Sequence, residues 1–258
     1  MYIDSHAHFD LILEKSAEGE AAILDAMRRG GVTIAVQIGI DVSRSIWSRD
    51  FACRNADCGI LYSVGIHPSS PAGPHDCKAI EELASSGDER LFGIGECGLD
   101  YYRMRRPKED QRESFLYQAD LARRLNLPLI VHSRDAMDDT IDLLAEAGPL
   151  RGIMHCFSGD RSAAKRVLDL GFYIAFAGNV TYRRADDIRE AARYVPQQRL
   201  LVETDAPFLT PEPMRGRDNR PDYLIHTLRF LADIRNTVPD RLAEAISQNF
   251  KELIRNGK

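Results

Sequence analysis

Eight short apolar runs, each separated from the next by a longer segment of helical period, constrain this chain more than any other feature. The runs fall at residues 2–5, 33–38, 60–65, 91–95, 127–132, 152–155, 172–176 and 200–204. Between them lie helical candidates such as 17–29, 109–126 and 136–147, the last two charged on one face with Leu, Ala and Phe on the other. Two more helices, near 223–235 and 239–255, complete the pattern. Such alternation is what repeated βα units around a parallel sheet produce. An open doubly wound sheet alternates in the same way, but its GxGxxG phosphate signature is absent, and eight is the number of units that closes a barrel. The expected fold is α/β, a (β/α)8 TIM-like barrel. No Gly, Ser or Pro stretch is long enough for a linker and no other fixed repeat is visible, so residues 1–258 read as a single domain.

With 44% hydrophobic and 28% charged residues, a chain of 258 residues can bury one large core. The opening MYIDSHAHFD lacks a basic stretch ahead of an apolar one. No segment approaches the roughly 18 apolar residues that a membrane span needs, so a cytoplasmic location is expected. Cys53, Cys58, Cys77, Cys97 and Cys156 are odd in number and lack CxxC spacing, which predicts reduced, mostly buried thiols. The net charge of -5 gives no general attraction to nucleic acid, so any affinity for phosphate must be local. Only six of the 34 basic residues are Lys, and Arg is the side chain whose planar fork suits phosphate.

The strongest chemical signal is the HxH of His6 and His8 at the end of the first run. Residues two apart in a strand share a face, so both imidazoles can reach one cation from inside a barrel mouth. Glu96 ends LFGIGE, His132 ends LPLIVH, His155 ends RGIMH and Asp205 ends LLVETD. Barrel enzymes place their chemistry at these strand ends. Any one of these residues alone reads as a hydrogen-bonded structural residue. Together, four imidazoles and two carboxylates at one mouth are costly to bury without a cation. They also exceed what a four-coordinate structural zinc uses, which points to two divalent metal ions. His6, His8 and Asp205 are assigned to one ion, His132 and His155 to the other, with Glu96 as bridge. Two ions about 3.5–4 Å apart can hold a shared hydroxide and polarise a phosphoryl or carbonyl oxygen, so the reaction class is hydrolysis. Asp205 has two readings at this stage, as the group that orients or deprotonates the attacking water or as a ligand only. The His-rich set suits Zn, Mn, Fe, Co or Ni, whereas Mg, which prefers oxygen ligands, fits it less comfortably. Glu203 shares the face of Asp205 and is expected to hold a ligating His or a water.

DSHAHFD, GIHP at 65–68, GIGECGLDYY at 93–102, LIVHSRDA at 129–136, HCFSG at 155–159 and LLVETDAPFL at 200–209 together resemble the TatD family of metal-dependent deoxyribonucleases, within the amidohydrolase-like barrels. The match runs in order from residue 1 to about Phe250. The resemblance implies a binuclear site at the six residues above and DNA phosphodiester hydrolysis as a 3′-to-5′ exonuclease. DNA, as single-stranded ends, is then the expected partner, with no membrane and no obligate protein partner. It also implies that His67 hydrogen-bonds substrate phosphate. Tyr101, Tyr102 and Arg103 follow the Glu96 run and offer stacking and charge to a strand end, or pack as a lid. Members of the family carry a compact Arg-Asn-x-Pro after the last strand, whereas this chain reads MRGRDNRPDY, with an extra residue between Arg217 and Pro221. Arg217, with Arg215 and Arg220 as substitutes, is the expected phosphate contact. His75 and His226 read as surface or capping residues and Trp47 as core.

Two rival readings remain open to the sequence. One is an amidohydrolase or lactonase acting on a small molecule. Such barrels often bridge their metals with a carboxylated lysine, and Lys15, Lys78, Lys108, Lys165, Lys251 and Lys258 fall at no expected strand end. The other is a noncatalytic metal or nucleic-acid binding protein on a retired scaffold, which the complete set of six ligands argues against.

Overall fold

The apolar runs become strands covered on both faces, which is why they read as continuous hydrophobic stretches instead of alternating ones. The computed structural model describes residues 1–255; the last three residues of the expected 1–258 domain, Lys258 among them, lie outside the described residues. The strands are β1 (Tyr2–Ala7), β2 (Val32–Gln37), β3 (Ile60–Val64), β4 (Leu91–Asp100), β5 (Leu129–Arg134), β6 (Gly152–Met154), β7 (Tyr173–Phe176) and β8 (Leu200–Val202). They pair in sequence order and all in parallel, in one eight-stranded sheet. The helices between them are α1 (Phe9–Lys15), α2 (Glu20–Arg29), α3 (Val42–Arg54), α4 (Pro74–Ala84), α5 (Lys108–Leu125), α6 (Met137–Ala147), α7 (Arg161–Asp169), α8 (Asp186–Tyr194), α9 (Leu224–Ile234) and α10 (Pro239–Arg255). This is the expected barrel, nearly closed.

The seam between β1 and β8 closes at the end that carries the HxH. Asp205 donates its N–H to the His6 carbonyl at 2.9 Å, and His8 donates to the Ala206 carbonyl at 2.8 Å. Across the same seam the buried Asp4 carboxylate accepts from the Thr204 N–H at 2.9 Å and its hydroxyl at 2.6 Å.

Four of the boundaries that differ from the sequence expectation have a local reason. β4 runs on to Asp100 instead of stopping at Gly95, because Gly95 and Gly98, at φ 135° and 140°, let the strand bend and continue. β6 and β8 stop short of His155 and Asp205, since Cys156 and Asp205 take left-handed backbone at φ 46° and 53° and turn the chain out of the ladder. β5 starts only after Pro128, which has no N–H to give.

Helix α5 buries a stripe that includes Phe115, Ala119, Leu121 and Ala122 against the barrel, as the sequence pattern predicts. Trp47 is half-buried and stacks on Phe51 at 4.8 Å, at the edge of the core instead of within it. All five thiols are free, but only Cys97 is buried, Cys53 is exposed and the others are half-buried, so most are less enclosed than expected. His75 sits on α4 and not in a loop. No helix among the described residues is long and apolar enough to cross a membrane.

Candidate metal centre

Six side chains from six places in the chain converge at the C-terminal mouth of the barrel, and Glu96 is at their centre. It points there because β4 gains a residue against β5: Ile94 pairs with Leu129, but Cys97 already pairs with Val131. Such a bulge re-aims the extra side chain. Glu96 Oε1 lies 2.8 Å from His132 Nδ1 and 2.9 Å from His155 Nε2. Oε2 lies 3.5 Å from His6 Nε2 and 3.8 Å from His8 Nε2. Each oxygen of one carboxylate therefore addresses one pair of imidazoles. Asp205 Oδ1 completes the first pair, 3.6 Å from His6 Nε2 and 3.5 Å from His8 Nε2.

The two halves of the cluster are packed ring on ring, with His6 and His155 stacked at 3.9 Å. Gly98 stands opposite His132 in the β4–β5 register, and a Cβ there would sit 2.0 Å from the His132 carbonyl oxygen. Only glycine lets the two strands approach so closely at this ligand.

Charges in the cluster are strongly coupled. Burial alone raises the carboxyl pKa of Glu96, but His155, His67 and the hydrogen bonds from His132 and His155 outweigh it and hold it well below the usual range. Burial disfavours a charged His155, yet Glu96 and Glu203 hold its pKa well above that of ordinary histidine. Asp205 is also kept ionised, its burial offset by the imidazoles of His8, His6 and His155. In His67 burial wins and pushes the pKa down to about 3. The Ser69 N–H donates to His67 Nδ1 at 3.0 Å, so the proton of this neutral ring is on Nε2, facing the cavity. Nε2 lies 3.7 Å from Glu96 Oε1, and His67 with Asp100 and His132 forms a further group whose ligand atoms lie within 4.8 Å of one another.

The remaining expected residues divide sharply. Arg217 is exposed and lies outside the cavity lining, with its carbonyl accepting from the Thr210 hydroxyl at 2.7 Å. The cause is Asn219, whose buried amide donates to the Thr204 and Phe208 carbonyls, both at 2.7 Å, and ties the loop down beside β8 with Arg217 on its outer side. Arg220 pairs with Glu18 and Asp222, and Arg215 covers the Tyr182 ring at 4.0 Å. None of the three meets the site. Arg103 and Arg134 line it instead, in a cavity of about 500 Å³ with Asn179, Ser158 and Phe208. Tyr102 is 64% exposed and outside the lining, but Arg134 lies over its ring at 3.9 Å, which places it beside the mouth. Glu203 Oε1 is 3.2 Å from His155 Nδ1, as expected of a residue that holds a ligating histidine.

Sequence reasoning missed the buried amides that hold these loops. Gln118 on α5 accepts from the Ile66 N–H at 2.8 Å and donates to the Ile66 carbonyl at 3.0 Å, fixing the loop that carries His67. Gln111, seven residues earlier on the same buried face, accepts from the Asp100 N–H at 2.8 Å. Their signal was present in the sequence as two glutamines seven residues apart on the buried stripe of α5.

The donor set fits divalent cations. His6 Nε2 and His8 Nε2 face each other at 3.2 Å, and three overlapping groups that include Glu96 or His155 offer ligand atoms within 4.8 Å of one another. Imidazole and carboxylate donors in this mixture are those of catalytic and not structural sites. The five described lysines all lie on helices, away from the cluster, so none can bridge metals as a carboxylated lysine.

A nearly closed parallel barrel with such a cluster at its C-terminal mouth defines the class: a metal-dependent hydrolase. The comparisons narrow it, for the model of the family described as TatD related DNase matches residues 3–255, and the chain belongs to that family. An uncharacterized metal-dependent hydrolase of Escherichia coli K12, YcfH, is 37% identical over 254 residues, covering 97% of this chain and 94% of the relative. YabD of Bacillus subtilis, likewise named an uncharacterized metal-dependent hydrolase, is 34% identical over 259 residues, with 99% of each chain covered. Among solved structures, the TatD homologue YjjV of Escherichia coli K12 superposes with a TM-score of 0.90 at 26% identity over 98% of each chain. A Deinococcus radiodurans PTE-like lactonase, with a TM-score of 0.64 at 17% identity over 98% of this chain and 95% of that one, shares the fold.

Proposed function

We propose that this chain hydrolyses DNA phosphodiester bonds from single-stranded 3′ ends, using two divalent cations that share Glu96. The observation that carries this reading is the division of the Glu96 carboxylate, Oε1 toward His132 and His155 and Oε2 toward His6 and His8. His6, His8 and Asp205 would hold one cation and His132 and His155 the other, with Zn, Mn, Fe, Co or Ni suited to the donors. When bound, such cations polarise a phosphoryl oxygen and make water easier to deprotonate.

The chain's own groups do the rest. Asp205 uses Oδ1 for both of its imidazole contacts, which leaves Oδ2 to accept the proton of the attacking water. His67 donates from Nε2 to a non-bridging phosphoryl oxygen and remains neutral at working pH. Arg103 and Arg134 at the mouth neutralise flanking phosphates in place of Arg217. Phe208, 38% exposed at the cavity, offers a face to the terminal base, and Tyr102 offers another under Arg134.

The test is hydrolysis of end-labelled single-stranded DNA by metal-stripped protein resupplied with Mn2+, Zn2+ or Mg2+, beside the Glu96→Ala and Asp205→Ala variants. Metal-dependent laddering from the 3′ end that both variants lose is the expected result. Turnover of small esters or lactones with no cleavage of DNA under any ion would overturn the reading in favour of a small-molecule amidohydrolase or lactonase.

A further inference from the structure

The buried carboxylates at the mouth fall into two sets. Glu96 and Asp205 face ring nitrogens that point to the centre of the cluster, whereas Glu203 and Asp100 face ring nitrogens that point away from it. Glu203 Oε1 stands 3.2 Å from His155 Nδ1 and accepts the Cys156 N–H at 2.6 Å. Asp100, the last residue of β4 and 1% exposed, has Oδ2 3.5 Å from His132 Nε2 and 3.9 Å from Arg103 Nε, and neither Oδ2 nor His132 Nε2 has a hydrogen-bond partner of full geometry among the described residues, so each faces the other as its nearest complement. Its other oxygen accepts the Arg103 N–H at 2.8 Å. Its backbone is clamped by Gln111, which accepts the Asp100 N–H at 2.8 Å and donates to the Asp100 carbonyl at 3.3 Å. A side chain held in this way presents one oxygen to His132 and has little freedom to turn elsewhere.

The consequence lies in the proton of the imidazole. A neutral ring carries one N–H, and a carboxylate opposite Nε2 draws the proton to that nitrogen. Nδ1 then keeps its lone pair, 2.8 Å from the Glu96 oxygen. Two electron-rich atoms at that distance are stable only with a cation or a second ring proton between them, the first being held toward Asp100. We propose that Asp100 is a positioning residue that fixes His132 as the Nε2–H tautomer and so reserves Nδ1 for a divalent cation. Through Arg103 the same carboxylate ties this ligand to the loop that lines the cavity. The inference rests on reading His132 as a cation ligand.

Asp100→Asn separates this role from mere packing. The shape is unchanged and the Asn oxygen can still accept the Arg103 N–H, but an NH2 group now faces His132. It favours a lone pair on Nε2 and a proton on Nδ1, where the cation would bind. In calorimetric titrations with Zn2+, wild type should take two ions, and the variant should bind one of them 10–100-fold more weakly, the usual loss when a supporting carboxylate is removed. Asp100→Glu should recover part of it. Long-range 15N–1H spectra of the Zn2+-loaded wild type should place the His132 proton on Nε2, and this measurement decides the matter even where the variant fails to fold. Equal Zn2+ affinities in Asp100→Asn and wild type, or a proton on Nδ1 in the loaded wild type, would overturn the inference while leaving the cation cluster standing. A wild type that takes up no cation would instead bring down the underlying reading and this inference with it.

Discussion

Glu96→Gln is the sharpest perturbation of the centre, because it keeps the shape of the side chain and removes only the charge and one acceptor. Whichever way the amide turns, its NH2 faces one pair of imidazoles, His132 and His155 or His6 and His8. A cation in this centre would displace those ring–carboxylate contacts and draw its affinity from the carboxylate charge, which the amide lacks. Losing even a supporting carboxylate costs about 10–100-fold in metal affinity, so cation affinity should fall roughly 100-fold. Thermal unfolding reads this directly. At a cation concentration 100 times its Kd, each occupied site stabilises wild type by about 2.7 kcal/mol, which for a chain of this size raises Tm by roughly 5–11 °C. At the same concentration a site weakened 100-fold sits at its own Kd and gains only about 0.4 kcal/mol, or roughly 1 °C. Comparing each protein with and without cation cancels whatever the substitution does to the metal-free fold. A Glu96→Gln variant whose cation-induced rise equals that of wild type would refute the shared carboxylate.

Three further outcomes follow from other parts of the molecule. Gly98→Ala forces a Cβ to within 2.0 Å of the His132 carbonyl at φ 140° and should cost about 3 kcal/mol; Gly87→Ala, at φ 73° with open space around it, should cost about half as much, and equal urea midpoints for the two would contradict the close-approach argument. Burial pushes Tyr62 from 10.0 up to about 12, so its contribution is present below pH 10 and lost as pH rises toward 12. Across that window wild type should lose about 1.4 kcal/mol per pH unit more than Tyr62→Phe in denaturant titrations, and parallel slopes would exclude Tyr62 as the titrating group. Arg134→Ala should raise the KM for single-stranded DNA and reduce the slope of log KM against log salt by about 0.7, the share of one phosphate contact, while Arg217→Ala should match wild type. A reversed pattern would return the phosphate contact to Arg217.

The barrel was legible because its evidence is periodic and redundant: eight apolar runs each report the same βα unit, and an error of a few residues at one end changes nothing about the fold. The cluster was legible for a different reason. His6, Glu96, His132, His155 and Asp205 each stand where an apolar run gives out, and a charged or titratable group at that point has few purposes other than chemistry. The position of Arg217 outside the cavity lining was not legible because a loop has no period, and its course is set by one buried amide, Asn219, reaching back to the carbonyls of Thr204 and Phe208. Arg134 was passed over for the converse reason: it follows His132 by two residues in β5 and so shares its side of the strand, but a lone arginine in sequence does not disclose whether it faces a cavity or solvent.

Strands and loops divide the mouth of the barrel between them. The strands and the turns just after them supply the residues of the cluster. The rest of the mouth is held by polar side chains of helices and loops that bond chiefly to backbone: Gln118 at Ile66, Gln111 at Asp100, Asn219 at Phe208. Each satisfies a loop peptide that would otherwise be buried unpaired, at a cost of about 1–3 kcal/mol, and each loop so held presents a different group, His67, Arg103 or Phe208, to the same 500 Å³. Exchanging Gln118 or Asn219 for an apolar residue of equal size should therefore leave the cation cluster loaded and blur the choice of substrate, because the cluster is fixed by the sheet and the surroundings of the substrate by these two amides, whereas Gln111, which also clamps Asp100, should affect both.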